Sequence, residues 1–434
     1  MKYYLAIDLG ASSGRHVVGH IDDGEIVLEE VYRFKTEMDN SSDGLVWNIP
    51  RILSEIKNGI RLAFEKYGSI ESLAIDTWGV DYVLMNEDKE MPPYYAYRNE
   101  RCVKGSKELH ERISFEELYQ RTGIQFAQFN TIYQLFDDLK KGRLDNATDY
   151  LMLPSYFTYK LTGVKTHEYT MESTGSLLNP FTKKYDSELL EKLGLPKYLF
   201  KDIKQPGFIV GDLLPEIQKE VGGNTKVLLC ASHDTASAFE SVNIDDDSLI
   251  ISSGTWSLLG IKSKEPIVNK ESLSCNYTNE GGVGYIRFLK NIMGLYLSNR
   301  VKNELDLTYN VIDSLIQDSK YKETFDVNVP SLIAPESMRD AILNLLKDNP
   351  PQNIIDLFAS IFHSLALSYK KAIDELETVT KKKYKKIYII GGGAKNAYLD
   401  YLVGQYTNLK VIALTMEATS LGNIKVQMKA NKEL

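Results

Sequence analysis

Three acidic residues follow runs of β-forming composition. Asp8 comes after Tyr4-Leu-Ala-Ile7, Asp76 after Leu73-Ala-Ile75, and Asp234 stands three residues beyond Val227-Leu-Leu-Cys-Ala231. Three glycine-bearing turns also follow such runs: Asp8-Leu-Gly-Ala-Ser-Ser-Gly14, Ser252-Ser-Gly-Thr255 and Gly391-Gly-Gly-Ala-Lys-Asn396. Glycine lets a backbone bend sharply and approach a ligand, so successive N–H groups can line up on phosphate oxygens. Carboxylates just past the strand ends of an α/β sheet converge on the crevice where ligands bind. Phosphoryl transfer to a hydroxyl needs a base on the acceptor, a cation bridging the phosphates, and donors on the transferring group. Asp8 and Asp234 can supply the cation coordination and the base. Any one of these aspartates alone reads most simply as a turn or cap residue. Their placement beside three glycine turns points instead to a nucleotide. No G-x-x-x-x-G-K-[ST] loop and no G-x-G-x-x-G fingerprint occurs, so the nucleotide would be held in neither of those ways.

Other chemistries are excluded by type or spacing. The six histidines are scattered, and His16 and His20, four apart, fall in a β-like run where they do not share a helical face. Ser232-His233-Asp234 cannot act as a nucleophile–base–orienter triad, because sequence neighbours do not align in that way. His233 is kept as a candidate because it adjoins Asp234. The three cysteines, Cys102, Cys230 and Cys275, are too few and too widely spaced for a disulfide framework or a four-ligand zinc site, and imply a reducing compartment. A net charge of −8 offers no general attraction for nucleic acid. The basic run Lys381 to Lys386 reads as a solvated connection between helix and strand. No apolar stretch approaches the roughly 20 residues of a membrane span, and the N-terminus lacks a signal-peptide pattern, so a cytoplasmic location is expected.

The elements that position these residues follow from periodicity and punctuation. At 434 residues, with 43% hydrophobic and 25% charged, the chain is globular and long enough for two or three domains. Tyr4-Leu-Ala-Ile7 and His16-Val-Val18 suggest a hairpin around the first glycine turn. Trp47 to Tyr67 predicts a helix, with Pro50 in its first turn and Ile52, Leu53, Ile56, Ile60 and Phe64 at helical spacing. Leu73–Ile75 and Tyr82–Met85 read as strands, and the stretch from about 108 to 161 reads as largely helical. The pattern restarts after Asp234: Leu249–Ile251 and Trp256–Ile261 flank the second glycine turn and echo the first hairpin. A long amphipathic helix over Asn353–Glu377 and a buried strand over Ile387–Ile390 lead into the third turn. The boundary falls near 240–248, giving domains 1–243 and 244–434.

At these motifs the resemblance becomes specific. Asp8-Leu-Gly-Ala-Ser-Ser-Gly-Arg15, Ser252-Ser-Gly-Thr-Trp-Ser257 and Ile389-Ile-Gly-Gly-Gly-Ala-Lys-Asn396 resemble the nucleotide motifs of the FGGY carbohydrate kinases, and the match is collinear from residue 3 onward. That resemblance implies two actin-like, ribonuclease-H-like α/β domains with ATP and sugar in the cleft between them. Within the family, Asp76-Thr-Trp-Gly-Val-Asp81, Phe129-Asn-Thr-Ile-Tyr-Gln134, Ser232-His-Asp-Thr-Ala-Ser237, Asn276-Tyr-Thr-Asn-Glu-Gly-Gly282 and Arg287-Phe-Leu-Lys-Asn-Ile-Met-Gly-Leu295 resemble the branch acting on L-rhamnulose. L-Fuculose and L-xylulose are the alternative acceptors. A non-catalytic, actin-like ATP sensor is the remaining reading, and it has no use for a positioned base.

Carried over position by position, the resemblance implies that Asp234 is the general base toward the C1 hydroxyl of the sugar. Gly79, His233, Thr235 and Asn291 would contact the sugar beside it. Ala11, Ser12, Ser13, Gly14, Arg15, Thr255, Asn299 and Gly392 would contact ATP, with Asn299 standing where relatives often have Gln. Asp8, with Asp234, would hold Mg2+. The partners implied are a ketose and MgATP, with no nucleic acid and no membrane. Trp78 either shields an apolar sugar face or is a core indole holding the strand end. Asn99 and Ser155 each stand where relatives usually have Asp.

Overall fold

The structure is a computed structural model describing residues 1–415 and 417–434. The run Tyr4–Leu9 (β1) is apolar on both faces apart from Asp8, and it is buried on both faces. It lies inside a six-stranded sheet with Ser13–Asp22 (β2), Glu25–Lys35 (β3), Ser72–Thr77 (β4), Ile209–Asp212 (β5) and Lys226–Leu228 (β6), in the order β5-β6-β4-β1-β2-β3. β1, β2 and β3 form an antiparallel meander, whereas β4 and β6 continue the sheet in parallel with β1.

Period-two alternation divides the β1 side chains between two layers. Leu5, Ile7 and Leu9 join the core under the Ile49–Tyr67 helix, while Tyr4 and Ala6 pack with Val17, Ile424 and Met428 against the Ala418–Ala430 helix. The Ile49–Tyr67 helix is capped by the Asn48 side chain, carries Pro50 in its first turn and ends at Gly68 with φ 74°. It starts two residues later than the sequence suggests because Trp47 closes a short hairpin strand, Gly44–Trp47.

Met1–Asn243, Lys262–Phe288 and Ala418–Leu434 make up this first compact unit, and Ile244–Ile261 with Leu289–Glu417 make up the second. The chain therefore passes between the units at more points than the single boundary that a linear reading assigns. In the second unit Ser248–Ser253 (β7) pairs antiparallel with Trp256–Ser263 (β8), and Lys386–Ile390 (β9) and Lys410–Leu414 (β10) add in parallel. A hairpin followed by parallel strands thus recurs in both units, as the echo between the two glycine turns suggested. The Ile354–Thr380 helix, capped by Asn353, packs its apolar stripe into this unit's core.

One expectation is corrected. Asp8 and Asp76 do not lie past their strands; each is the penultimate residue of its strand, because the β1–β4 ladder continues to Leu9 and Thr77. The stretch from 108 to 161 is largely helical, as expected, with one strand inside it, Asp149–Met152, paired antiparallel with Tyr82–Asn86. A four-residue apolar run carries no period that separates strand from helix. Among the described residues no helix is long and apolar enough to cross a membrane, and the three cysteines are free.

Candidate active site

The first glycine turn joins β1 to β2. Gly10 N–H donates to the Ser13 carbonyl at 3.0 Å, and Thr36 ties the turn to β3 through bonds to the Gly10 and Ser12 carbonyls. Gly14 is required by packing, since a Cβ there would lie 2.4 Å from the Phe34 ring. Arg15, opposite Asp8 on the β1–β2 ladder, pairs with the Asp8 carboxylate at 3.2 Å.

Asp8 is also the register partner of Asp76 on the parallel side. Asp76 is fully buried. Its Oδ2 accepts from the Asn423 amide at 2.6 Å, and its Oδ1 is buried without a hydrogen-bond partner. Burial and then the Asp8 carboxylate, with a smaller push from Asp234, hold the Asp76 carboxyl well above its usual range despite the Asn423 bond. An orphaned carboxylate oxygen among mutually repelling carboxylates fits a divalent cation, which turns that repulsion into attraction. Asp8, Asp76 and Asp234 are the residues that would hold magnesium. No three described acidic, histidine or cysteine side chains are grouped as ligands of one metal ion.

The loop after β6 brings in the next candidates. Thr77 N–H bonds the Ser232 carbonyl at 2.9 Å, and His233 forms a parallel bridge with Thr77. Behind this loop, buried Glu168 accepts from Thr170 N–H at 2.8 Å, Thr170 Oγ1 at 2.7 Å and Met171 N–H at 3.0 Å, and from Ser232 N–H at 3.3 Å. His233 N–H donates to Thr170 Oγ1 at 3.3 Å. Asp234 then opens the Asp234–Glu240 helix. Its Oδ1 accepts from Thr235 N–H at 2.5 Å and Thr235 Oγ1 at 3.1 Å, with His233 Nε2 at 3.4 Å. The Asp234 side chain is 31% exposed, so unlike Asp76 it is reachable by a substrate. Gly79 lies over His233: a Cβ there would sit 3.2 Å from Nε2 and 3.5 Å from Thr174 Oγ1. The bare backbone keeps that space open.

The first unit thus brings together Asp8, Ala11 to Arg15, Gly79, His233, Asp234 and Thr235. Thr255, Asn291, Asn299 and Gly392 belong to the second unit. There the turn at Gly254-Thr255 receives Leu295 N–H at 2.9 Å and Gly294 N–H at 3.2 Å on its carbonyls. A Cβ on Gly294 would stand 2.7 Å from the Gly254 carbonyl oxygen. Asn299, on the Tyr296–Glu304 helix, accepts from Tyr309 Oη at 2.8 Å. After β9, Gly391 has φ 83° and Gly393 lies against Ser253, while Gly392 faces open space. Asn291 lies within the Ile286–Met293 strand.

Trp78 is the core indole of its two readings. It is buried, its ring centroid lies 4.2 Å from that of Trp47, and both indole N–H groups donate to Asp81 Oδ2, at 2.9 and 2.6 Å. Burial pushes the Asp81 carboxyl up to about 6 against those bonds. Asn99 uses its amide as a donor, to the Asp43 and Leu45 carbonyls at 2.8 and 3.0 Å, which an ionised Asp cannot do. Ser155 is fully buried, with its Oγ unpartnered.

The sequence reading gave no role to Asn423, Glu280 or Arg287. Asn423 and Gln427, one turn apart on a buried helix, are a legible polar pair; Glu280 and Arg287 fall in two of the blocks that carry the resemblance, but nothing local says what they touch. Arg287 is fully buried, donates from Nε to the Gly281 carbonyl at 2.7 Å, and places Nη2 at 3.1 Å from Glu280 Oε2 and 3.0 Å from His233 Nδ1. Burial opposes charge on Glu280, but the Arg287 guanidinium beside it outweighs that and holds the carboxyl below its usual range.

The descriptions of the FGGY family of carbohydrate kinases match the chain in two parts, the N-terminal domain over residues 3–239 and the C-terminal domain over 249–431. The chain belongs to the FGGY family of carbohydrate kinases. A rhamnulokinase from Oceanobacillus iheyensis is 41% identical over 436 residues, spanning 98% of this chain and 93% of that one. A rhamnulokinase from Bacillus subtilis is 37% identical over 446 residues, spanning 99% and 91%. Among solved structures, a xylulose kinase from Lactobacillus acidophilus superposes with a TM-score of 0.83 at 18% identity, over 100% of this chain and 90% of that one. A Plasmodium falciparum glycerol kinase with ADP gives 0.78 at 14%, over 100% and 90%. These distant likenesses establish the actin-like fold. The family and the nearer relatives make this FGGY kinase a rhamnulokinase-like sugar phosphotransferase that uses ATP as co-substrate.

Proposed function

We propose that this FGGY kinase transfers the γ-phosphoryl group of ATP to the C1 hydroxyl of L-rhamnulose, giving ADP and L-rhamnulose 1-phosphate, as a step in L-rhamnose breakdown. The observation that carries the reading is Asp234: a half-buried carboxylate at a helix start, with Oδ1 held by Thr235 and Oδ2 left without a partner among the described residues. Oδ2 receives the proton of the attacking hydroxyl, and the bond to Thr235 keeps the carboxylate from rotating. His233, Thr235 and the open backbone at Gly79 contact the sugar, joined by Asn291. Ala11 to Arg15, Thr255, Asn299 and Gly392 contact ATP. The backbone N–H groups of the glycine turns are suited to phosphate oxygens because those turns are fixed by internal bonds, while Asn299 offers its side chain from the Tyr296–Glu304 helix. Magnesium, when bound through Asp8, Asp76 and Asp234, supplies charge neutralisation at the phosphates. The L-rhamnulose assignment is supported by the relatives' names and by the Asp76–Asp81 and Arg287–Leu295 blocks. A sugar panel with ADP release as readout tests it, and preference for L-fuculose or L-xylulose would reassign the acceptor.

A further inference from the structure

The side of His233 that faces away from Asp234 meets a group of fixed chemistry. A guanidinium has five N–H donors and no acceptor, and it stays protonated in proteins. Arg287 Nη2 lies 3.0 Å from His233 Nδ1, in a place where Arg287 is wholly buried. A proton on Nδ1 would set two donors head to head at that distance without water to separate them. Nδ1 therefore accepts. Glu280 Oε2 is farther from the same nitrogen, at 3.4 Å, and hydrogen-bonds neither it nor Arg287, whose guanidinium is the nearer charge at 3.1 Å. The Arg287 Nε bond to the Gly281 carbonyl fixes the plane of the fork.

We infer that Arg287 is a positioning residue that locks His233 as the neutral tautomer with its proton on Nε2. His233 is then a hydrogen-bond donor on the substrate side and not a second base. Its Nε2 lies 3.4 Å from Asp234 Oδ1, beside the two bonds from Thr235 and without a hydrogen bond of its own to that oxygen. Both Thr235 donors lie on one carboxylate oxygen, which leaves Oδ2 as the oxygen that takes the substrate proton. Gly79 keeps the space over Nε2 clear for a sugar oxygen to accept from it. The catalytic consequence rests on the kinase reading above; the tautomer does not.

The test is two-bond 1H–15N correlation on the full chain labelled with 15N-histidine, at neutral pH and without ligand, with His233→Gln used to identify the resonances that disappear. The expected spectrum shows a protonated, pyrrole-type Nε2 and a bare, pyridine-type Nδ1. A proton on Nδ1, or an imidazolium, would overturn the inference. In Arg287→Gln, whose amide both donates and accepts, His233 should become a mixture of tautomers. Turnover should fall on the order of 10–100-fold, the size typical of removing a partner that orients a site histidine, with the KM for ATP unchanged. An unaltered tautomer in that variant would remove Arg287 from the role. If Arg287→Gln does not fold, the wild-type spectrum still decides the tautomer. The tautomer found together with no activity on any sugar would leave this inference standing and remove the proposed function.

Discussion

Asp8 and Asp76 are register partners across the parallel β1–β4 ladder, so two carboxyls share one buried corner of the sheet. Like charges in a dry setting do not both ionise easily. Asp76 answers with a raised pKa, and Asp8 is paired with Arg15. Asn423, reaching in from the Ala418–Ala430 helix, satisfies one Asp76 oxygen and leaves the other for an external partner.

That arrangement makes stability depend on pH in a defined sense. The native Asp76 carboxyl titrates above its usual value of 3.8, so the folded state holds its proton more tightly than the unfolded chain. Its stabilising contribution is complete below the usual value and is lost as pH rises through the raised one. In EDTA, Asp76→Asn, which stays neutral, should gain Tm relative to wild type progressively from about pH 4 upward. Added Mg2+ should raise the wild-type Tm more than that of the variant. A difference that is flat with pH would contradict the buried, proton-holding state.

Asp81 is predicted to be structural. Truncation in Asp81→Ala leaves the Trp47 and Trp78 indole N–H groups buried without their acceptor. At about 1–3 kcal/mol for each unsatisfied group, the loss should reach at least about 2 kcal/mol in denaturant unfolding. Asp81→Asn keeps an acceptor oxygen and should lose less. Equal losses in the two variants would argue against the indole bonds as the cause.

The third glycine turn separates packing from ligand contact. A Cβ on Gly393 would lie 1.9 Å from Ser253 Oγ, so Gly393→Ala must displace a buried side chain and should lower Tm. Gly392 has nothing within 4 Å of the same position, so Gly392→Ala should fold normally. If Gly392 contacts ATP, that variant raises the KM for ATP with Tm unchanged. An unchanged KM would take Gly392 out of the nucleotide site.

What the sequence shows and what it hides follow from the range of the interactions. The glycine turns and the Ser232-His-Asp-Thr block are local, and their backbone demands are written in adjacent residues. The hairpins around Gly10 and Gly254 and the helices starting near Pro50 and Asn353 were legible for the same reason. The basic run was legible too: Lys385 and Lys386 pair with Asp247 and Asp245 at 3.0 and 2.7 Å, as a solvated connection would. Trp78 kept two readings until its partner Trp47, far away in sequence, was known. Arg287 and Glu280 act on His233 from about fifty residues away, and Asn423 acts on Asp76 across 347. No spacing rule reaches such pairs. Asp149–Met152 was missed because only its pairing with Tyr82–Asn86 makes it a strand.

Asp234 carries the central claim. The most direct test is ADP release by the purified protein with MgATP and each of L-rhamnulose, L-fuculose, L-xylulose, L-ribulose and glycerol, run in parallel with Asp234→Asn. The account predicts strong preference for L-rhamnulose. It also predicts a fall in turnover on the order of 100- to 10,000-fold in the variant, with ATP binding retained. Near-normal turnover in Asp234→Asn would contradict Asp234 as the base, and ATP binding with no phosphorylated sugar from any acceptor would contradict the proposed reaction.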